Sequence, residues 1–114
     1  MKIHRTYTMH AARFIPTLEP THPCSKMHGH TFKVIIEVDG PIDQETGFVM
    51  DFYDLDVIVN KNVMKKIDHK ILNDVEGLEN PSSEYLAIWV WNELIGSLPI
   101  LSEVTISEEH GTGI

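Results

Sequence analysis

Cysteine and histidine lie close together in one short segment of this sequence. The run Cys24-Ser25-Lys26-Met27-His28-Gly29-His30 holds the single cysteine of the chain and two of its seven histidines. If this run is extended, His28 and His30 point to the same side, because strand side chains alternate, and both imidazoles can then bind one metal ion. Cys24 could be a third ligand, a catalytic thiol or a small buried apolar residue. The pattern predicts a divalent metal site beside a thiol, and the alternative is a pair of surface histidines in a loop.

Two further polar groups could act together with this segment. Asp68 directly precedes His69, and a carboxylate beside an imidazole can orient the ring and raise its basicity. Adjacent side chains need not face each other, so a polar helix end is the alternative. Glu108 and Glu109 end a predicted strand, and only one of them can face an inward site because successive side chains point to opposite faces.

The strands that must position these residues follow from alternating apolar side chains. Residues 2–12 and 31–39 are predicted strands, and the three prolines within 14–27 make the segment between them a loop. Residues 103–109 are a third predicted strand, and 111–114 could add a stub of a further one.

Two helices are predicted between the second and third strands. Helical spacing of apolar residues places them at about 53–66 and about 83–96. The buried stripe of the second helix would consist of Tyr85, Leu86, Trp89, Val90 and Leu94. The order β-β-α-α-β predicts an α+β fold in which two helices cover one face of an antiparallel sheet.

Composition limits the classes of function. The 114 residues predict one domain, 1–114, and 42% hydrophobic with 23% charged residues is a globular composition. The net charge of −8 argues against a nucleic-acid-binding module. No apolar run is long enough to span a membrane, and the first residues lack the apolar region of a signal peptide. One cysteine cannot form an internal disulfide, so a cytoplasmic location is expected.

Several motifs make the sequence resemble the 6-pyruvoyl-tetrahydropterin synthase superfamily over nearly its whole length. Besides the Cys24-x3-His28-Gly-His30 run, they are Ala11-Ala12, His22-Pro23-Cys24, 46–52 (TGFVMDF), Ile67-Asp68-His69, Leu72-Asn73-Asp74 and 77–84 (GLENPSSE). The three-residue gap between Cys24 and His28 is similar to the branch that makes 6-carboxy-5,6,7,8-tetrahydropterin in the queuosine pathway.

This resemblance implies a tunnel-fold subunit whose sheets join into a barrel in a homohexamer, with zinc bound where subunits meet. It implies 7,8-dihydroneopterin triphosphate as the substrate and a lyase reaction that releases triphosphate and acetaldehyde. Two alternatives stay open: a pyruvoyl-forming lyase of the same superfamily, and a paralogue with weakened metal binding that acts as a pterin-binding protein.

The resemblance also implies roles for individual residues. His28 and His30 would bind zinc, and Cys24 would be the base that removes a proton from the substrate. Asp68 with His69 would exchange protons on the opposite side of the substrate. Glu108 would anchor the pterin ring.

The sequence departs from the superfamily at the third zinc ligand. The usual pattern is Phe-x-Ala-Ala-His, whereas here Met9-His10-Ala11-Ala12 is followed by Arg13, and an arginine does not coordinate zinc. His10 is the expected replacement, although it lies on the other strand face unless a bulge shifts the register. Alternatively, His10 itself aligns with the usual ligand and the following loop is longer. The chain also ends soon after Glu108, where the superfamily continues through another strand.

Overall fold

The described residues form a sheet of three antiparallel strands, whose order across the sheet is their order along the chain. The computed structural model describes residues 1–109 and 111–114. The strands are β1 (Lys2–Arg13), β2 (His28–Asp39) and β3 (Leu101–Glu108). All three predicted strands are confirmed, but β2 begins three residues earlier than expected. The histidine pair therefore belongs to the strand itself and not to the loop before it.

The helices lie between β2 and β3. They are α1 (Phe52–Val59), a π-helical turn (Asn60–Met64), a short α2 (Lys65–Ile67) and α3 (Ser83–Ile95). Asp51 and Ser82 cap α1 and α3, since their side chains accept hydrogen bonds from backbone N–H groups of the first turn. None of the helices in the described residues combines the length and the apolar character needed to cross a membrane.

The π-helical turn has a cause in the apolar pattern. Leu55, Val59, Val63 and Ile67 recur at every fourth residue and are all fully buried. On a regular α-helix such a stripe drifts by about 40° at each step, because four residues exceed one turn. A π-helical turn holds more residues per turn than an α-helix. It therefore offsets the drift, and Val63 and Ile67 face the core again.

The core lies between the helices and one face of the sheet. Phe32, Val34, Ile36 and Val38 line that face of β2 and are fully buried. The predicted stripe of α3 is confirmed at its other four positions, but Tyr85 is 55% exposed. Tyr85 lies about 100° around the helix axis from its neighbour Leu86, which faces the core.

The end of the chain pairs with β3. Ile106 and Ile114 exchange two backbone hydrogen bonds of 2.9 and 2.7 Å, and Gly113 forms a bridge with Ser107. This short pairing corresponds to the stub expected at 111–114, and it holds Thr112 beside the end of β3.

Candidate functional site

The two histidines of β2 face the helix side of the sheet at its end. His28 lies opposite Arg13 of β1, and His30 lies opposite Ala11. Both histidines share the face of β2 that carries the buried Phe32. Their ring centroids are 4.7 Å apart, with an interplanar angle of 86°. The two imidazoles are therefore neighbours, as the alternation of strand side chains predicts.

Each ring keeps a buried nitrogen without a hydrogen bond. His28 Nδ1 lies 2.6 Å from the Lys26 carbonyl oxygen, which can only accept, so Nδ1 donates this hydrogen bond and Nε2 is the nitrogen left for another partner. Within the described residues, His28 Nε2 and His30 Nδ1 have no hydrogen-bond partner, and the latter is 3.6 Å from a Glu109 carboxylate oxygen. Burial, followed by the charge of Arg13, lowers the pKa of His30. His30 is thus neutral at neutral pH.

Arg13 fills the position opposite His28. Its side chain is only 7% exposed. The guanidinium donates to the Pro81 carbonyl oxygen (3.0 Å), to Ser83 Oγ (3.1 Å) and to the Glu108 carboxylate. It also lies over the Phe32 ring, 5.1 Å from the centroid. A permanent positive charge is therefore fixed at the end of the sheet beside the histidine pair.

Glu108 is the anion that balances this charge. Its Oε1 accepts from Arg13 and, at 2.9 Å, from the Ser83 hydroxyl, while its Oε2 accepts at 2.9 Å from the Thr112 hydroxyl. Burial acts to raise the pKa of Glu108, but the hydrogen bonds of Ser83 and Thr112, and then those of Arg13, outweigh it, so the pKa is lowered. Glu108 is ionised, and most of its acceptor capacity is already used.

His10 lies on the other face of the sheet. The β1–β2 register is continuous from Lys2 to Arg13, with no bulge. His10 lies three positions before Arg13, so the two side chains point to opposite faces of the sheet. His10 Nδ1 lies 3.1 Å from Thr31 Oγ1, and its ring centroid is 5.7 Å from that of His69. The structure thus brings His10 to His69 and not to the histidine pair, and the assignment of His10 as their third zinc ligand has no support in this geometry.

Asp68 and His69 form an ion-pair geometry directly after α2. Asp68 Oδ2 is 3.0 Å from His69 Nδ1, and Asp68 Oδ1 accepts from the His10 N–H at 3.0 Å. Burial acts to raise the pKa of Asp68, but the His10 N–H and the His69 side chain outweigh it, and the pKa is lowered. The predicted orientation of an imidazole by its neighbouring carboxylate is present.

His69 has an unusual backbone. Its φ is 59°, and it is the only described residue other than glycine with a positive φ. The His69 N–H donates to the His10 carbonyl oxygen at 2.6 Å, which fixes this conformation. Non-glycine residues in the left-handed region are strained by about 1–3 kcal/mol and are concentrated at functional sites.

A groove of about 490 Å³ lies at this end of the sheet. His10, His30, His69, Lys70 and Glu109 are among the residues that line it. Gly29, which has no side chain, lines it as well. Sequence reasoning missed Lys70, although a basic residue directly after Asp68-His69 was a visible signal.

Cys24 lies in a 3₁₀ turn (Pro23–Ser25) before β2. Its N–H donates to His22 Nδ1 at 3.0 Å, and its carbonyl oxygen accepts from the Ile15 N–H at 2.8 Å. The side chain is partly exposed and forms no disulfide. His22 therefore caps the turn, and backbone contacts fix the position of Cys24 without using its thiol.

Comparison with known proteins identifies the family. Residues 2–114 match the family described as 6-pyruvoyl tetrahydropterin synthase. The chain belongs to this family. The resemblance that the motifs indicated is thereby confirmed.

Relatives in the 6-pyruvoyl tetrahydropterin synthase family carry several names. The chain is 48% identical over 71 residues to a putative 6-carboxy-5,6,7,8-tetrahydropterin synthase of Archaeoglobus fulgidus, covering 62% of this chain and 58% of that protein. It is 34% identical over 111 residues to the 6-carboxy-5,6,7,8-tetrahydropterin synthase of Synechocystis, covering 93% and 84%. A dihydroneopterin monophosphate aldolase of Pyrococcus furiosus is 38% identical over 74 residues, covering 65% and 60%.

Solved structures of the family show the fold. The 6-pyruvoyl tetrahydropterin synthase of Caenorhabditis elegans superimposes with a TM-score of 0.90 at 24% identity, covering 100% of this chain and 92% of that one. The enzyme of Plasmodium vivax gives 0.68 at 21% identity, covering 100% and 96%. The expected antiparallel sheet with two helices on one face is therefore confirmed as the subunit fold of this family.

The metal site expected from the 6-pyruvoyl tetrahydropterin synthase family is only partly formed by this chain. A catalytic zinc ion is commonly held by three protein ligands, with a fourth position open. His28 and His30 present suitable nitrogens, but the neighbouring position holds Arg13, whose guanidinium has no lone pair to donate. In residues 1–109 and 111–114, no three His, Cys, Asp or Glu side chains are grouped to hold a metal ion. The residues present do not fit a three-ligand zinc centre.

Proposed function

We propose that this protein is a pterin lyase that converts 7,8-dihydroneopterin triphosphate and water to 6-carboxy-5,6,7,8-tetrahydropterin, triphosphate and acetaldehyde, in 7-deazaguanine and queuosine biosynthesis. The observation that carries the proposal is the Asp68–His69 pair, held in a strained backbone on a groove that His30 also lines. The names of the Archaeoglobus and Synechocystis relatives favour this branch.

The proposed chemistry is proton transfer on the substrate side chain. Cys24 acts as the base that removes a proton from a carbon next to the pterin ring, in the role that the resemblance assigns to it. His69, oriented by Asp68, exchanges a proton on the other side of the reacting carbon. Such positioned acid–base groups commonly contribute about 10²–10⁴-fold to a rate.

Glu108 is the proposed anchor of the pterin ring. An ionised carboxylate offers about four acceptor positions, and three donors of this chain already occupy part of that capacity. In the described residues, Thr112 is the one donor found to bond to Oε2 of Glu108. This oxygen therefore retains room for the amino-pyrimidine edge of the ligand. Because the side chain of Glu108 is 19% exposed, a ligand can reach it.

The triphosphate of the substrate needs local positive charge, since the chain as a whole carries −8. Lys70 supplies a cation on the wall of the groove next to His69. We assign the triphosphate to this part of the groove.

A homohexameric barrel is the proposed assembly. In one subunit, β1 is an edge strand of 12 residues, and such long edges are usually covered by another strand. The thiol of Cys24 is not found in contact with the Asp68–His69 pair within one chain. A neighbouring subunit is therefore proposed to complete each site.

A second candidate is a paralogue with weakened metal binding that binds a pterin without turnover. The buried pair of Arg13 and Glu108 favours it, because Arg13 displaces a zinc ligand and occupies the carboxylate expected to bind the pterin. Zinc, if bound, would be held by His28 and His30, and no step of the proposed proton transfer is assigned to it.

Product analysis separates these candidates. The purified assembly is incubated with 7,8-dihydroneopterin triphosphate, and the products are identified by liquid chromatography and mass spectrometry, with pterin binding measured in parallel by fluorescence. Formation of 6-carboxytetrahydropterin in the wild type but not in Cys24→Ala supports the lyase proposal. A pyruvoyl product would contradict the branch, tight binding without turnover would establish the second candidate, and neither binding nor turnover would refute both.

A further inference from the structure

A permanent cation is built into the site at the place where a metal ligand is expected. Arg13 lies directly opposite His28 in the β1–β2 register. Directly opposed residues in an antiparallel pair have their Cβ atoms about 4.5–5.5 Å apart. A side chain at this position therefore shares its surroundings with the His28 imidazole, whose buried Nε2 has no hydrogen-bond partner in the described residues, and with the neighbouring His30 ring.

The guanidinium is firmly held in this place. It donates to Glu108, Ser83 and the Pro81 carbonyl oxygen, and it packs on Phe32. These partners come from α3, from the segment before it and from β3, so the fold itself fixes the charge. The Nε atom of Arg13 is buried and has no hydrogen-bond partner in the described part of the chain.

Ion pairing alone is a weak reason for a buried arginine here. Taking two charges out of water costs about as much as their attraction returns, and apolar residues of similar volume are often equally stable in such places. The pair has a second effect, because it fixes the positive charge of Arg13 directly opposite His28 in the β1–β2 register. The same charge repels any divalent cation that approaches His28 and His30.

We propose that Arg13 takes the place of the metal ion in this chain, so that its guanidinium supplies the positive charge of the site and zinc is not retained. Two imidazoles remain, but the third ligand is absent and a fixed positive charge opposes the metal. The guanidinium can donate hydrogen bonds and stabilise negative charge, whereas it cannot accept an electron pair as a Lewis acid does.

The exchange of one side chain tests this proposal. In Arg13→His an imidazole replaces the cation opposite His28, and three histidines from two adjacent strands can then surround one ion. Arg13→Gln is the matched control, because it removes the charge and keeps a hydrogen-bonding side chain but supplies no imidazole. Arg13→His combined with His28→Ala shows whether any gained metal uses the proposed ligands.

The readout is the metal content of the purified assembly. Each protein is dialysed against buffered zinc and then against metal-free buffer, and bound zinc is measured by plasma mass spectrometry. Folding is checked by circular dichroism, and cobalt replaces zinc in a parallel sample to report tetrahedral coordination by visible absorption. We expect almost no zinc in the wild type and Arg13→Gln, about one ion per chain in Arg13→His, and its loss in the double variant.

Two results would overturn the proposal. One is about one zinc ion per chain in the wild type, lost in His28→Ala. The other is a folded Arg13→His that binds no more zinc than the wild type. If Arg13→His does not fold, the comparison of the wild type with His28→Ala decides alone.

Discussion

Replacement of Arg13 by methionine should expose the energetic role of the buried ion pair. Methionine keeps the packing on Phe32 but leaves the carboxylate of Glu108 without its cation. Removal of one partner of a buried pair commonly costs about 3–5 kcal/mol. Arg13 is 7% and Glu108 19% exposed, and Glu108 keeps two hydroxyl donors. We therefore expect the lower end, a loss of about 3 kcal/mol in the free energy of unfolding at pH 7.

Urea unfolding at pH 7, followed by circular dichroism, measures this loss. Adding Glu108→Gln to Arg13→Met removes the unpaired charge, so the double variant should regain most of the lost stability and lie within about 1 kcal/mol of the wild type. An Arg13→Met protein as stable as the wild type would refute the reasoning. So would a double variant no more stable than the single one.

The acid dependence of the same pair follows from the lowered pKa of Glu108. A group with a depressed pKa in the folded state stabilises the fold above its unfolded pKa, about 4.3 for glutamate, and this stabilisation is lost as the pH falls through the folded pKa. The wild type should therefore exceed Arg13→Met in stability by the whole difference at pH 6–7, well above the unfolded pKa of glutamate. This difference should shrink below about pH 4. An unchanged difference at acid pH would contradict the assignment.

Three further variants test other parts of the account. Cys24→Ala should lower turnover by at least about 10²-fold. It should leave the urea midpoint unchanged, because only backbone atoms of Cys24 hold the turn. A fully active variant would show that Cys24 is not the base. His69→Gly should raise the free energy of unfolding by about 1 kcal/mol while abolishing turnover, and a loss of stability would show that its positive φ is not strained. Tyr7→Phe should cost about 1.5 kcal/mol, since the phenol donates to Asp56 at 2.7 Å; urea unfolding of an equally stable variant would contradict this.

The strands could be predicted from the sequence because their cause is local. Alternation of side chains along β1 and β2 decides which residues face the helices, and it correctly placed His28 and His30 on one side. The early start of β2 was missed because His-Gly-His has a weak strand propensity. Its pairing with the end of β1 decides that boundary instead.

The contacts of Arg13 could not be predicted from the sequence. Its partner Glu108 lies 95 residues away, and Ser83 and Pro81 come from yet another part of the chain. The resemblance to the family implied only that an arginine stands where a zinc ligand is usual. That the replacement is a buried cation, paired with the carboxylate expected to bind the pterin, emerges from the tertiary structure.

The proton-transfer pair was predictable as a motif but not as a geometry. Asp68 and His69 are neighbours in sequence, yet their 3.0 Å contact depends on the positive φ of His69 and on the backbone of His10. The same contacts explain why His10 belongs with this pair and not with the histidines of β2.

Release of acetaldehyde tests the central claim, a pterin lyase of the carboxy-forming branch, most directly. The wild-type assembly is supplied with 7,8-dihydroneopterin triphosphate, and acetaldehyde is measured continuously through NADH oxidation by added alcohol dehydrogenase. We expect acetaldehyde equimolar with the substrate consumed, and none in Cys24→Ala. Consumption of the substrate without acetaldehyde, or no consumption by the folded wild-type protein, would contradict it.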